Sequence, residues 1–109
     1  MVCQYAAGDP LYDEDAMLYM IIERFKDSDP QPVGERFRSR GRMMPDGLTY
    51  HASWLEPDGS RCFQVMETAR PELMDEWMGN WKDLVDFEVI PVLTSVDFWA
   101  RRADQPSHD

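Results

Sequence analysis

Glu23, His51 and Gln64 are the side chains of this sequence whose type and setting could do chemistry on a small molecule. His51 stands in TYHASWL, where alternation sets it with Thr49 and Ser53 on one strand face. An imidazole there could act as a general base near neutral pH, or be an ordinary hydrogen-bonded histidine. Glu23 shares a face with Tyr19 in MLYMIIERF, and alternation puts Tyr50 with Trp54 in the same way. A carboxyl, a phenol and an aromatic wall can hold and polarise a flat substrate, and the carboxyl's pKa rises if it is buried. The plainer reading makes the aromatics core and gives Glu23 a salt bridge to a helix arginine. In RCFQVMET, Gln64 falls with Cys62, Met66 and Thr68, opposite Phe63, Val65 and Glu67. Phe63 and Val65 suit a helix-covered face. Gln64 then turns into a cavity, or into a cross-strand or dimer hydrogen bond.

Arg36, Arg38, Arg40 and Arg42 recur at alternate positions in an otherwise acidic chain. One of them could grip a substrate carboxylate through its two-pronged donor geometry. Alternatively they line a solvated helix border and pair with Glu35 or nearby acids. Trp77 and Trp81, one helical turn apart, read as core. His51 has no second histidine or close carboxylate at ligand spacing, and His108 lies near the last residue, so no metal site is expected. Cys3 and Cys62 form no CxxC pair. A lone cysteine in a strand-like run is usually a small buried hydrophobe, and a reducing cytoplasm is its default setting.

A length of 109 residues with 43% hydrophobic content supports one domain with a small core. With 21 acidic against 11 basic residues, a net charge of -10, the chain repels nucleic acid and anionic membranes. No run approaches the roughly 18 apolar residues of a membrane span, and the first residues lack the pattern of an export leader. The expectation is a soluble cytoplasmic protein.

Residues 1–16 read as a flexible N-terminal extension, 17–96 as the domain and 97–109 as a polar tail. Met17 to Phe25 reads as a buried strand before the breaker cluster DSDPQP. A helix entering at Asp29-Pro30 or Gln31-Pro32 carries Val33, Phe37, Gly41 and Met44 at helical spacing, with Gly41 permitting close approach to a sheet. The PDG turn at Pro45 to Gly47 ends it. Leu48 to Leu55 and Arg61 to Thr68 form a hairpin around Glu56 to Ser60. Pro71 opens a second helix with Leu73, Trp77, Trp81 and Leu84 inward, and Phe87 to Val96 is a last strand, with Pro91 favouring an edge. This order predicts an α+β, ferredoxin-like βαββαβ fold with a four-stranded antiparallel sheet. Both helices cover one face. The strands are apolar at both alternating sets of positions, so the other face needs a cover, and a symmetric copy is the simplest one: a homodimer closing an α+β barrel.

MLYMIIERF, ERFRSRGRMMPDGL, Ser53-Trp54, RCFQVMET, DEW at Asp75 to Trp77 and DLVDFEVIPV together resemble a bacterial domain-of-unknown-function family of the dimeric α+β barrel superfamily. The resemblance covers residues 17–96. It implies a barrel interior able to hold a small organic molecule. Larger relatives in that superfamily include cofactor-free monooxygenases, polyketide cyclases, lactone isomerases and haem-binding enzymes, but none of their site motifs is present. The expected function is small-molecule binding or tailoring, extending to a cofactor-independent monooxygenase, cyclase or isomerase acting on an aromatic or polyketide-like substrate. His51 and Glu23 are the candidate catalytic groups, and Tyr19, Tyr50, Trp54 and Gln64 the candidate binding groups. The alternative is a non-catalytic metabolite-binding or protein-interaction module.

Overall fold

A computed structural model describes residues 16–103. Strand β1 (Met17–Phe25) leads through a short 3-10 turn (Lys26–Ser28) into helix α1 (Gln31–Arg40), followed by β2 (Thr49–Leu55), β3 (Arg61–Thr68), α2 (Glu72–Gly79), β4 (Val85–Val92) and α3 (Ser95–Ala103). The sheet order is β2-β3-β1-β4, and every neighbouring pair is antiparallel. This is the expected α+β ferredoxin-like arrangement with a third helix added. β4 is an edge strand, which accommodates Pro91. Among the described residues no helix is long and apolar enough to cross a membrane.

Period-two alternation sets which side of each strand is buried. Tyr19, Ile21, Glu23 and Phe25 of β1 are buried, as are Cys62, Gln64, Met66 and Thr68 of β3. Leu73, Met74 and Trp77 of α2, Val33 of α1 and the following Trp81 pack onto them. The helix-covered face is therefore the one that carries Gln64, the reverse of the assignment based on Phe63 and Val65. Each alternate set of β3 contains two apolar side chains, so apolarity alone could not choose between them. The opposite face carries Leu18, Met20, Ile22, Phe63 and Val65, all half-buried. At its flanks Ile90 is 37% and Trp54 57% exposed.

β2 breaks strict alternation. Tyr50 pairs with Met66 and Ala52 with Val65, so His51 is the extra residue of a bulge. Thr49, His51, Ala52 and Trp54 consequently face away from α1 and α2, while Tyr50, Ser53 and Leu55 face toward them. This corrects the groupings of His51 with Ser53 and of Tyr50 with Trp54: one inserted residue inverts every position after it.

Helix α1 also ends earlier than its apolar spacing implies. Gly41 adopts φ +69° and its N–H closes on the Phe37 carbonyl at 2.7 Å, so the chain leaves the helix before Met44. A side chain at Gly41 would meet nothing within 4 Å, so its role is this conformation and not close packing. Gly47, at φ +97°, does mark a close approach, since a Cβ there would stand 2.9 Å from Leu73 Cδ1. Trp81 and Leu84 lie beyond α2, in the turns leading to β4, and β4 begins at Val85 and ends at Val92. The segment read as the end of the last strand and a tail contains α3. Thr94 Oγ1 accepts the Asp97 N–H at 3.0 Å, and Asp97 near the start with Arg101 and Arg102 near the end suits the helix dipole. No α3 side chain is buried, and Val96 and Trp99 are 69% and 64% exposed.

Candidate functional site

Between the sheet and the α1–α2 layer lies a cavity of about 290 Å³. Its walls include Phe25, Val33, Phe37, Leu55, Trp77 and Trp81, and the polar groups that line it are Glu23, Gln64, Arg42, Ser53 and Cys62. A largely apolar pocket with a few convergent polar groups is the usual form of a small-molecule site.

Glu23 stands near the centre of the sheet, paired with Cys62 on one side and Phe87 on the other. Only 8% of it is exposed. Burial pushes its carboxyl up to about 7, and the weaker pull of the Arg42 charge does not cancel that rise. No arginine forms an ion pair with it among the described residues. The Gln64 amide Nε2 lies 3.5 Å from Glu23 Oε2 and 3.3 Å from Met66 Sδ. The same environment pushes the Cys62 thiol up to about 12, through burial first and the Glu23 charge second. Near neutral pH this cysteine stays a thiol, which makes it a poor nucleophile.

Arg42 enters the cavity from the connection between α1 and β2. Its backbone is pinned from α2 and the turn after it: the Trp77 and Trp81 indole N–H groups both donate to the Arg42 carbonyl, at 3.1 and 3.2 Å. Asn80 Nδ2 donates to the Met43 carbonyl at 3.3 Å. Gly41 and Met43, both at positive φ, flank Arg42 and fix the direction of the turn. The guanidinium carbon then lies 3.7 Å from the centre of the Tyr50 ring and 5.1 Å from that of Phe37. Tyr50 is held in turn by a 2.7 Å hydrogen bond between its hydroxyl and Ser53 Oγ.

Residues 17–105 match a family model described as a domain of unknown function, DUF3303. The chain belongs to this family. No curated protein and no solved structure matches it. The match starts with the first residue of β1 and extends past α3, so the cavity and both sheet faces lie inside the DUF3303 domain.

Of the residues singled out from sequence, Glu23 and Gln64 come together in the cavity of this DUF3303 chain. Tyr50 supports the cavity from beneath Arg42. Tyr19 shares the helix-covered face but belongs to the main core cluster and does not line the cavity. Trp54 and His51 lie on the other side of the sheet. His51 Nε2 is 2.7 Å from Glu67 Oε1, with the two side chains only 6% and 14% exposed. Glu23 and His51, the two candidate catalytic groups, are thus separated by the sheet. Among the described residues no cluster of three His, Cys, Asp or Glu side chains is placed to hold a metal ion.

The four alternate arginines divide by role. Arg36 makes a two-pronged ion pair with Asp83, at 2.7 Å on each side, and donates to the Asn80 carbonyl at 2.9 Å. It ties α1 to the turn after α2. Arg38 and Arg40 are exposed, and Arg42 alone of the four lines the cavity. By spacing alone Arg42 falls on the border of a helix and the tryptophans fall in the core. A glycine after the last helical turn was the available signal that the helix stops at Arg40.

Proposed function

We propose that the DUF3303 cavity binds a small organic molecule and moves a proton on it, as a cofactor-independent isomerase or cyclase for an aromatic or polyketide-like substrate. The observation that carries this reading is Glu23: a carboxyl with a pKa of about 7 at the floor of an aromatic-walled cavity, beside the Gln64 amide. Near neutral pH such a group can take a proton as carboxylate and return it as carboxylic acid. A proton removed from one atom of an enolisable substrate and returned to another completes an isomerisation with no external oxidant or reductant. The Gln64 amide, within 3.5 Å of Glu23, can orient the carboxyl or donate to a developing enolate, and the tryptophans give the cavity apolar walls.

The same reading includes a homodimer. Leu18, Met20, Ile22, Phe63 and Val65, with the more exposed Trp54 and Ile90, make a second apolar sheet face, and a two-fold copy would close it into a dimeric α+β barrel. A bacterial cytoplasm suits the free, buried Cys62, and the net charge of -10 argues against nucleic-acid or membrane partners.

A non-catalytic metabolite-binding module is the second reading. It is favoured by the separation of His51 from Glu23, which leaves no histidine among the described residues that line the cavity to complete an acid–base pair. Incubation with enolisable aromatic ketones and polyketide-like diketones in deuterated water separates the two. The catalytic reading predicts loss of substrate C–H signals in NMR, slowed on the order of a hundredfold by Glu23→Gln. Binding without exchange would support the module instead.

A further inference from the structure

We propose that Arg42 is a carboxylate receptor, so that the ligand of the cavity is a planar aromatic monocarboxylic acid with its carboxylate against Arg42 and its ring system among the tryptophans. This deepens the small-molecule reading of the same cavity and depends on it.

Arg42 stands apart from the paired arginines. Arg24, Arg36, Arg61 and Arg70 each meet a carboxylate, from Glu88, Asp83, Glu56 and Glu72 respectively. In a chain with 21 acidic residues, Arg42 has no carboxylate partner among the described residues, although it is half-buried and lines a cavity. Glu23 does not fill that role, since no ion pair joins the two.

The geometry leaves the right part of Arg42 available. At 3.7 Å from the Tyr50 ring centre, the guanidinium is in face contact. Its N–H donors project from the edge of its plane, where a carboxylate accepts two of them side by side. Its backbone is fixed by Trp77 and Trp81, and its aromatic support is fixed by Ser53. The fork is therefore oriented before any ligand arrives, which reduces the ordering cost of binding. A single guanidinium matches a monoanion. A phosphate dianion would find no second cation among the described residues lining the cavity. Phe25, Phe37, Trp77 and Trp81 offer aromatic surface for the rest of the ligand, and about 290 Å³ limits it to a small ring system.

The test compares 2-naphthoate with 2-naphthamide, which share shape and differ in charge, by quenching of intrinsic tryptophan fluorescence and by calorimetry near neutral pH. Wild-type protein is expected to bind the acid about tenfold or more tightly than the amide, and Arg42→Gln to abolish that preference while keeping its affinity for the amide. Equal binding of both compounds by the wild type overturns the carboxylate assignment and leaves the small-molecule cavity standing. Binding of neither overturns both. The wild-type comparison needs no variant, so it decides the question even if Arg42→Gln does not fold. A preference that survives in folded Arg42→Gln also refutes the assignment.

Discussion

The indole N–H of Trp77 donates to the backbone carbonyl of Arg42 at 3.1 Å, linking the buried face of α2 to the one cation that lines the cavity among the described residues. Trp81 donates to the same oxygen. The core and the candidate site are therefore one construction, and loosening the tryptophans should loosen Arg42.

Trp81→Phe and Trp77→Phe each remove one donor and leave the other in place. Each hydrogen bond is worth about 1 kcal/mol net, while an unpaired buried carbonyl costs about 1–3 kcal/mol. The double variant should then lose more stability than the two single variants combined, as measured by urea denaturation. Strict additivity would show that the shared carbonyl does not couple them.

His51 and Glu67 form a pair on the side of the sheet away from the cavity. His51→Ala leaves a largely buried carboxylate without this partner and should cost about 1–3 kcal/mol. Naphthoate binding should be unchanged. A large loss of binding with intact folding would place His51 in the site after all.

Glu23 makes stability depend on pH. Its carboxyl titrates near 7 in the folded chain against about 4.5 unfolded, so the folded state holds more protons between those values. Stability is fully present below the unfolded pKa and falls as pH rises through the folded one. Glu23→Gln removes this dependence. The stability difference between variant and wild type should grow from about pH 4.5 to 7 and level off near 3 kcal/mol on an order-of-magnitude basis. Cys62, pushed up to about 12, does not titrate in this window. Parallel pH profiles for the two proteins would contradict the assignment.

A carboxylate ligand beside Arg42 disfavours the ionised form of Glu23 across the cavity. Its affinity should therefore weaken as pH rises through about 7, and Glu23→Gln should flatten that profile. Naphthoate titrations from acidic to alkaline pH measure this directly. A flat wild-type profile would mean that the two groups do not share the cavity.

The homodimer reading makes Trp54, 57% exposed on the second sheet face, a sensitive position. Light scattering should give the mass of two chains for the wild type and shift toward one chain for Trp54→Glu. A wild-type mass of one chain would remove the barrel.

Strand and helix order was readable because β1 and β3 alternate and each main helix carries an apolar spacing bounded by proline or glycine, but it took the register of β1 on β3 to set Glu23 and Gln64 on one face. The rest was hidden for local reasons. The bulge at His51 leaves no clear mark in TYHASWL, yet it inverts the strand after it. Both alternate sets of β3 are apolar, which concealed the face that the helices cover. The spacing from Phe37 to Gly41 and Met44 continues a helical pattern past a glycine that ends the helix, so Arg42 was assigned to the wrong element. In α3 the short apolar pattern masked a capping signal, Thr94 followed three residues later by Asp97.

The most direct test of a proton-transfer site is to titrate Glu23 itself, following its side-chain carboxyl carbon by NMR in the folded protein. A midpoint near 7 that disappears in Glu23→Gln is the predicted result. A midpoint at the ordinary glutamate value near 4.5 would contradict it, because Glu23 would then be a fixed anion near neutral pH and a weak base.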